Sequence, residues 1–346
     1  MSERRGPSVA AQDIEYVELY TSDRLSAVDY FVSSFGFTWM AECVVGGSRS
    51  SLLRHGTVQL VLTAGRGTEE FIEAHGDGIA DIAFGCDDPV QTCERAVAAG
   101  ASLIDSAPGK LVVSGIGDTR HTLVTRSAGP SLPSDRAWKL VSEASAKPGR
   151  IWLLDHVAIL VESGTLTGYA DFCTEAFGFA RYSGEYIDIG EQAMDSIVVR
   201  SPSGGITFTI LEQDQTKKPG QVEGFISRYG GPGVQHLAFL ADDIVSAVHE
   251  FRGRGVEFLR TPDAYYEMLA RRLPGIKEEI ADLRATNVLA DRDEWGYLLQ
   301  LFTRSPYKRN TLFYELVQRR GARGFGTANI KALYEAVERD ESGTAG

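Results

Sequence analysis

Nowhere in the chain do about 18 apolar residues run together, so the sequence holds no segment able to cross a bilayer as a helix. The opening stretch, MSERRGPSVAAQ, has two arginines but no apolar run behind them, which argues against a secretory leader and for a cytoplasmic protein. Basic residues are also scarce: 35 Lys and Arg face 47 Asp and Glu, the formal net charge is -12, and no basic run is long enough to track a phosphate backbone. Nucleic acid and membrane are therefore poor partners, and a small molecule is the better expectation. The four cysteines, Cys43, Cys86, Cys93 and Cys173, show no CxxC spacing and sit among apolar neighbours, as reduced core thiols do.

What the chain does have is an internal repeat. At 346 residues it exceeds the usual single domain of about 100 to 200, and two halves are expected. IEYVELYTSDRLSAVDYFVSSFGF (14–37) resembles LDHVAILVESGTLTGYADFCTEAFGF (154–179): an alternating strand, a turn, an amphipathic helix, then Phe-Gly-Phe. GIADIAFGCDDPVQTCERAVAAGASLI resembles GVQHLAFLADDIVSAVHEFRGRGVEFL, each a strand, an Asp-Asp helix start and a helix closed by Gly100 or Gly255. Short β-branched runs such as TVQLVLTA and GITFTIL lie between the helices. The unit is βαβββ, and paired units predict an α+β fold of two open β-barrel halves.

The expected divisions are an N-terminal barrel over 12–126, a Pro-rich linker over 127–150 and a C-terminal barrel over 151–341. The latter carries a helical insertion at 262–285 and a terminal helix at 326–341, capped by Thr327, with Ile330, Leu333, Tyr334 and Val337 on one face.

The comparison of halves isolates three residues. His156 stands opposite Tyr16, His236 opposite Asp81, and Glu315 opposite Thr122, so only the second half has two imidazoles and a carboxylate. Their nearly equal intervals suit equivalent strands of one barrel. Two neutral imidazoles and a carboxylate, all facing inward, form a facial triad with adjacent open positions, the arrangement of non-haem Fe(II) oxygenases; zinc accepts the same ligand types. A lone strand histidine is usually an ordinary core residue. Three such residues together are harder to explain as packing, because an unpaired buried carboxylate costs several kcal/mol. The other four histidines, His55, His75, His121 and His249, are expected near turns, strand edges or an exposed helix face, without a role. The first half, lacking the triad, is expected to hold no metal.

In DHVA, GVQHLAF, DAYYEML, GYLLQLFTRSP and FYELVQRRGARGFGTANIKALYEAVERD, the chain resembles the 4-hydroxyphenylpyruvate dioxygenase family, of the vicinal-oxygen-chelate (glyoxalase-like) fold. The resemblance covers nearly the whole chain and implies Fe(II) as cofactor, His156, His236 and Glu315 as its ligands, and 4-hydroxyphenylpyruvate and O2 as substrates. A homo-oligomer is expected as well, though no interface is read from the sequence. By family match the substrate wall comprises Ser196, Thr209, Leu211, Gln300, Phe302, Phe313, Phe325, Asn329, Ile330 and Tyr334, with Ser196 and Gln300 expected to hold the phenol hydroxyl or a neighbouring polar group. The apolar face of the terminal helix, preceded by the hinge-like RGARGFG, suits a lid. Family members that form homogentisate typically read IRIPLNEP where this chain has GGITFTILEQD, with Pro and Asn at the positions of Thr209 and Leu211. That departure points to the 4-hydroxymandelate-forming branch of antibiotic pathways. The alternatives are a homogentisate-forming enzyme, a metal-free binding module of the same fold, and a zinc or nickel isomerase of glyoxalase type.

Overall fold

The computed structural model describes residues 10–105, 110–127, 129, 131–141 and 149–331. Two mixed sheets, of nine and eight strands, carry the two halves. In the first, Ala11–Tyr20 lies between the parallel strand Val58–Gly65 and the antiparallel strand Gly78–Cys86. In the second, Ile151–Val161 lies between Thr207–Gln213 and Gly233–Ala241 with the same two polarities. Even the register repeats: Tyr16 pairs with Ala83 as His156 pairs with Ala238, and Phe84 pairs with Leu123 as Phe239 pairs with Leu316. This is the α+β architecture of two curled half-barrels that the repeat implies.

The Asp-Asp helix starts work through their second member. Asp88 and Asp243, both extended, accept hydrogen bonds from the amides of Gln91 and Ser246 and so cap helices Pro89–Ala98 and Ile244–Gly253. The latter buries Ile244, Ala247, Val248 and Phe251, a stripe at helical spacing that seats it on the sheet. Residues 262–285 form a helix Asp263–Arg272, a 3-10 turn Pro274–Glu279 and most of a helix Ile280–Thr286. Of the expected terminal helix only the start, to Lys331, is described; Leu333, Tyr334 and Val337 lie outside the described residues.

The halves interlock. Phe31, which follows the first helix of the N-terminal half, meets Tyr314 edge-on at 5.2 Å, and Phe35 packs against Phe251 at 5.1 Å. Reciprocally, Phe177 of the helix Leu166–Phe177 meets Phe84 at 5.1 Å and His121 at 5.0 Å. One hydrophobic core therefore runs through both sheets.

His55 and His75 end a strand and a helix, and His121 lies one residue inside a strand, all three buried. His121 stacks on Phe84 at 4.2 Å, and burial pushes its imidazole down to about 4, so it is neutral in the core. One expectation needs correcting: 127–150 is not simply a tether. Lys139–Leu140 adds a strand to the first sheet beside Thr38–Val45, and Arg136 enters the N-terminal barrel. There its guanidinium grips both oxygens of Glu18 at 3.0 and 2.9 Å and donates to the Tyr16 hydroxyl at 3.1 Å and to Asp135 at 2.8 Å. Polar residues inside an apolar barrel draw in a segment whose spacing in sequence reads as a linker.

Candidate metal centre

Three neighbouring strands assemble the site. Gly233–Ala241 runs between Ile151–Val161 and Phe313–Arg320, and Ala238 pairs with His156 on one side and Glu315 on the other. His236, two residues before Ala238, shares its face of the sheet. Ala238, fully buried, has only a methyl, so the space above it is left to the three longer side chains. The ligand-capable atoms of His156, His236 and Glu315 all lie within 4.8 Å of one another, and all three residues are buried.

Each histidine has its far nitrogen held. His156 Nδ1 donates to Asp155 at 2.9 Å, and Asp155 in turn takes a two-pronged grip from Arg319, at 2.7 and 2.8 Å. His236 Nδ1 donates to the Gln235 carboxamide oxygen at 3.1 Å. Both Nε2 atoms are thereby turned inward, each toward Glu315 Oε2, at 3.3 and 3.2 Å. Asp155 and Gln235 reach these positions because each is the extra residue of a register shift, between Leu154 and His156 and between Val234 and His236. Such bulges re-aim a side chain that strict alternation sends to the opposite face.

Glu315 Oε2 is buried and meets no hydrogen-bond donor in good geometry, only the two imidazole nitrogens, whereas Oε1 accepts from Gln300 Nε2 at 2.7 Å. A buried carboxylate oxygen converging with two inward imidazole nitrogens is what a divalent cation completes, and the donor set suits one.

Comparison with known proteins agrees. Residues 153–301 and 16–114 each match a family described as the Glyoxalase/Bleomycin resistance protein/Dioxygenase superfamily. A 4-hydroxyphenylpyruvate dioxygenase of Yarrowia lipolytica is 33% identical over 361 residues, spanning 95% of this chain and 92% of its own. One of Aspergillus fumigatus is 31% identical over 371 residues, with the same two coverages, 95% and 92%. A solved structure of a triple mutant of 4-hydroxymandelate synthase from Streptomyces coelicolor is 51% identical, covers 96% of this chain and 99% of its own, and superposes with a TM-score of 0.89. The chain belongs to the 4-hydroxyphenylpyruvate dioxygenase family.

In this dioxygenase a pocket opens beside the triad. Of the residues anticipated from sequence, Ser196, Thr209, Leu211, Gln300, Phe302, Phe325 and Ile330 line it. Phe313 stacks on the His236 ring at 5.0 Å and supports that imidazole from the side, and Asn329 is fully buried behind Gln300; Tyr334 lies outside the described residues. Gln300 holds neighbouring polar groups, its amide on Glu315 and its carbonyl facing Asn329. Ser196 donates to the Glu185 backbone oxygen at 3.0 Å, which leaves its hydroxyl oxygen able to accept. The pocket also takes in Ser183, Glu185, Val198 and Gln235, which pattern reading missed. Arg319, also missed, follows Glu315 by four residues on one strand and thus shares its face.

Charge at the site sets a proton against the metal. Burial by itself lowers a histidine, but Glu315 and Asp155 outweigh it and raise His156 to about 9. Burial raises Glu315, and the two imidazoles outweigh it in turn, holding the carboxyl at about 2. His236 is lowered by burial, with Glu315 opposing. At neutral pH the metal-free triad thus holds a proton on His156, which must leave before Nε2 can ligate. Divalent metal uptake is expected to release close to one proton, with affinity rising about tenfold per pH unit and levelling above the His156 value of about 9. Calorimetry in buffers of different ionisation enthalpy checks this; uptake without proton release contradicts it.

Proposed function

We propose that this dioxygenase holds Fe(II) on His156, His236 and Glu315 and converts 4-hydroxyphenylpyruvate and O2 to 4-hydroxymandelate and CO2. Bound Fe(II) supplies the redox chemistry and a Lewis-acidic seat for the 2-oxo acid. The chain's own part is positioning. Phe302 and Phe325 flank the triad and offer aromatic faces and edges to a substrate ring. Val198 and Leu211 add aliphatic wall and exclude water from the reacting end.

The observation that carries the branch is Leu211. It lines the pocket on the strand Thr207–Gln213, two residues from Thr209 and paired with Ser196, at the position where homogentisate-forming members typically carry Asn. A leucine offers no hydrogen bond, so at this position the ring is held by shape. A displacement of about 1 Å changes relative rates by about a hundredfold, enough to favour the benzylic carbon over the ring.

The test is product identity. Purified protein incubated with Fe(II), O2 and 4-hydroxyphenylpyruvate is expected to yield 4-hydroxymandelate, with CO2 and O2 in equal amounts, by chromatography against both standards. Homogentisate would overturn the branch. Iron binding without O2 consumption would overturn the substrate.

A further inference from the structure

The hydrogen bonds behind Glu315 form a directional chain. A carboxylate only accepts, so Gln300 must turn its NH2 toward Glu315 Oε1, at 2.7 Å. Its carbonyl then faces Asn329, whose NH2 donates to it at 2.8 Å. The Asn329 carbonyl in turn faces the Tyr265 hydroxyl, 3.1 Å away, which must donate. Tyr265 has its other side fixed, because its oxygen accepts the Ala290 amide at 2.9 Å. The Ala290 carbonyl, 3.0 Å from the same hydroxyl, competes for the phenol proton, but it also receives Arg272, whereas the Asn329 carbonyl faces Tyr265 as its donor. Gln300, Asn329 and Tyr265 are all buried, so water does not substitute along the line.

We infer that Tyr265 is a positioning residue for the metal carboxylate: through Asn329 and Gln300 it fixes Glu315 so that Oε1 is occupied and Oε2 alone faces the histidines. The inference rests on the metal reading of the triad. It gives the helix Asp263–Arg272 a purpose at the site, although that helix contributes no pocket-lining residue. Without the phenol proton, the Asn329 carbonyl is either left unpaired in the core or turns round. If it turns, Gln300 must turn with it and present its carbonyl to Glu315. In both cases the hold on Oε1 loosens and the carboxylate can rotate to offer both oxygens.

The test compares Tyr265→Phe with Tyr266→Phe. Tyr266 is on the same helix and also loses a buried hydroxyl bond, to the Val288 carbonyl at 3.2 Å; its ring packs on Tyr265, a contact phenylalanine keeps, but its hydroxyl does not bond to the relay. Co(II) alone serves as probe, read by affinity and by its visible absorption, which reports coordination number. Tyr265→Phe is expected to weaken Co(II) binding by about 10 to 100-fold and to alter the absorption band, with Tyr266→Phe like the unsubstituted protein. Asn329→Leu breaks the relay one link nearer the metal and is expected to match Tyr265→Phe, so the outcome does not hang on one variant folding. Unchanged affinity and spectrum in both relay variants would overturn the inference, as would equal weakening in Tyr266→Phe. Failure of the unsubstituted protein to take up Co(II) would instead overturn the metal reading, and the relay with it.

Discussion

Glu315→Gln is expected to lose divalent metal by more than about a hundredfold in affinity, the upper end of what removing an outer partner of a ligand costs, and to show no measurable turnover. The reason is local. The side chain keeps its shape, but one oxygen becomes an NH2, and neither orientation works. Turned toward Gln300, the new amide sets donor against donor across 2.7 Å. Turned inward, it replaces the metal-facing oxygen with a donor that cannot ligate. Folding is expected to survive, since His156 can shed its proton once the negative charge is gone. Metal titration beside far-ultraviolet circular dichroism distinguishes the outcomes: native affinity in the variant would remove Glu315 from the ligand set.

The second large effect lies in the other half. Arg136→Met is expected to destabilise the protein by about 3 to 5 kcal/mol, the cost of leaving a buried charge without its partner. Glu18 is 4% exposed and keeps its carboxyl below the usual range, because Arg136 outweighs the burial that would raise it. Adding Glu18→Leu to Arg136→Met should recover only part of the loss, because the buried Asp135 carboxylate also loses Arg136. Urea denaturation measures both. A single transition is expected, because Phe31, Phe35 and Phe177 tie the two sheets into one core. A drop below about 1 kcal/mol for Arg136→Met alone would show that the pair is solvated enough to be dispensable.

Much of this was legible in the sequence, for a physical reason. Strand and helix periodicities survive in both halves, and comparing them turned two histidines and a glutamate from plausible core residues into a site. The identical registers around Ala83 and Ala238 show why that alignment works. Other features were out of reach of pattern. Asp155 and Gln235 sit in bulges, and alternation assigns bulge residues to the wrong face. Gln300 is legible as a site residue, but which polar neighbour it holds is not, since its amide orientation depends on Tyr265 and Asn329, distant in sequence. Arg136 sits in a stretch whose prolines and small polar residues read as connector, and only the third dimension brings it to Glu18.

The guanidinium in the first barrel arrives with the polypeptide and is in place as soon as the chain folds. Among the described residues the second barrel has no such resident cation beside Glu315, and the proton on His156 balances the carboxylate there. Both buried carboxylates are thus compensated without a bound ion, so chelation of divalent metal is expected to leave the fold intact.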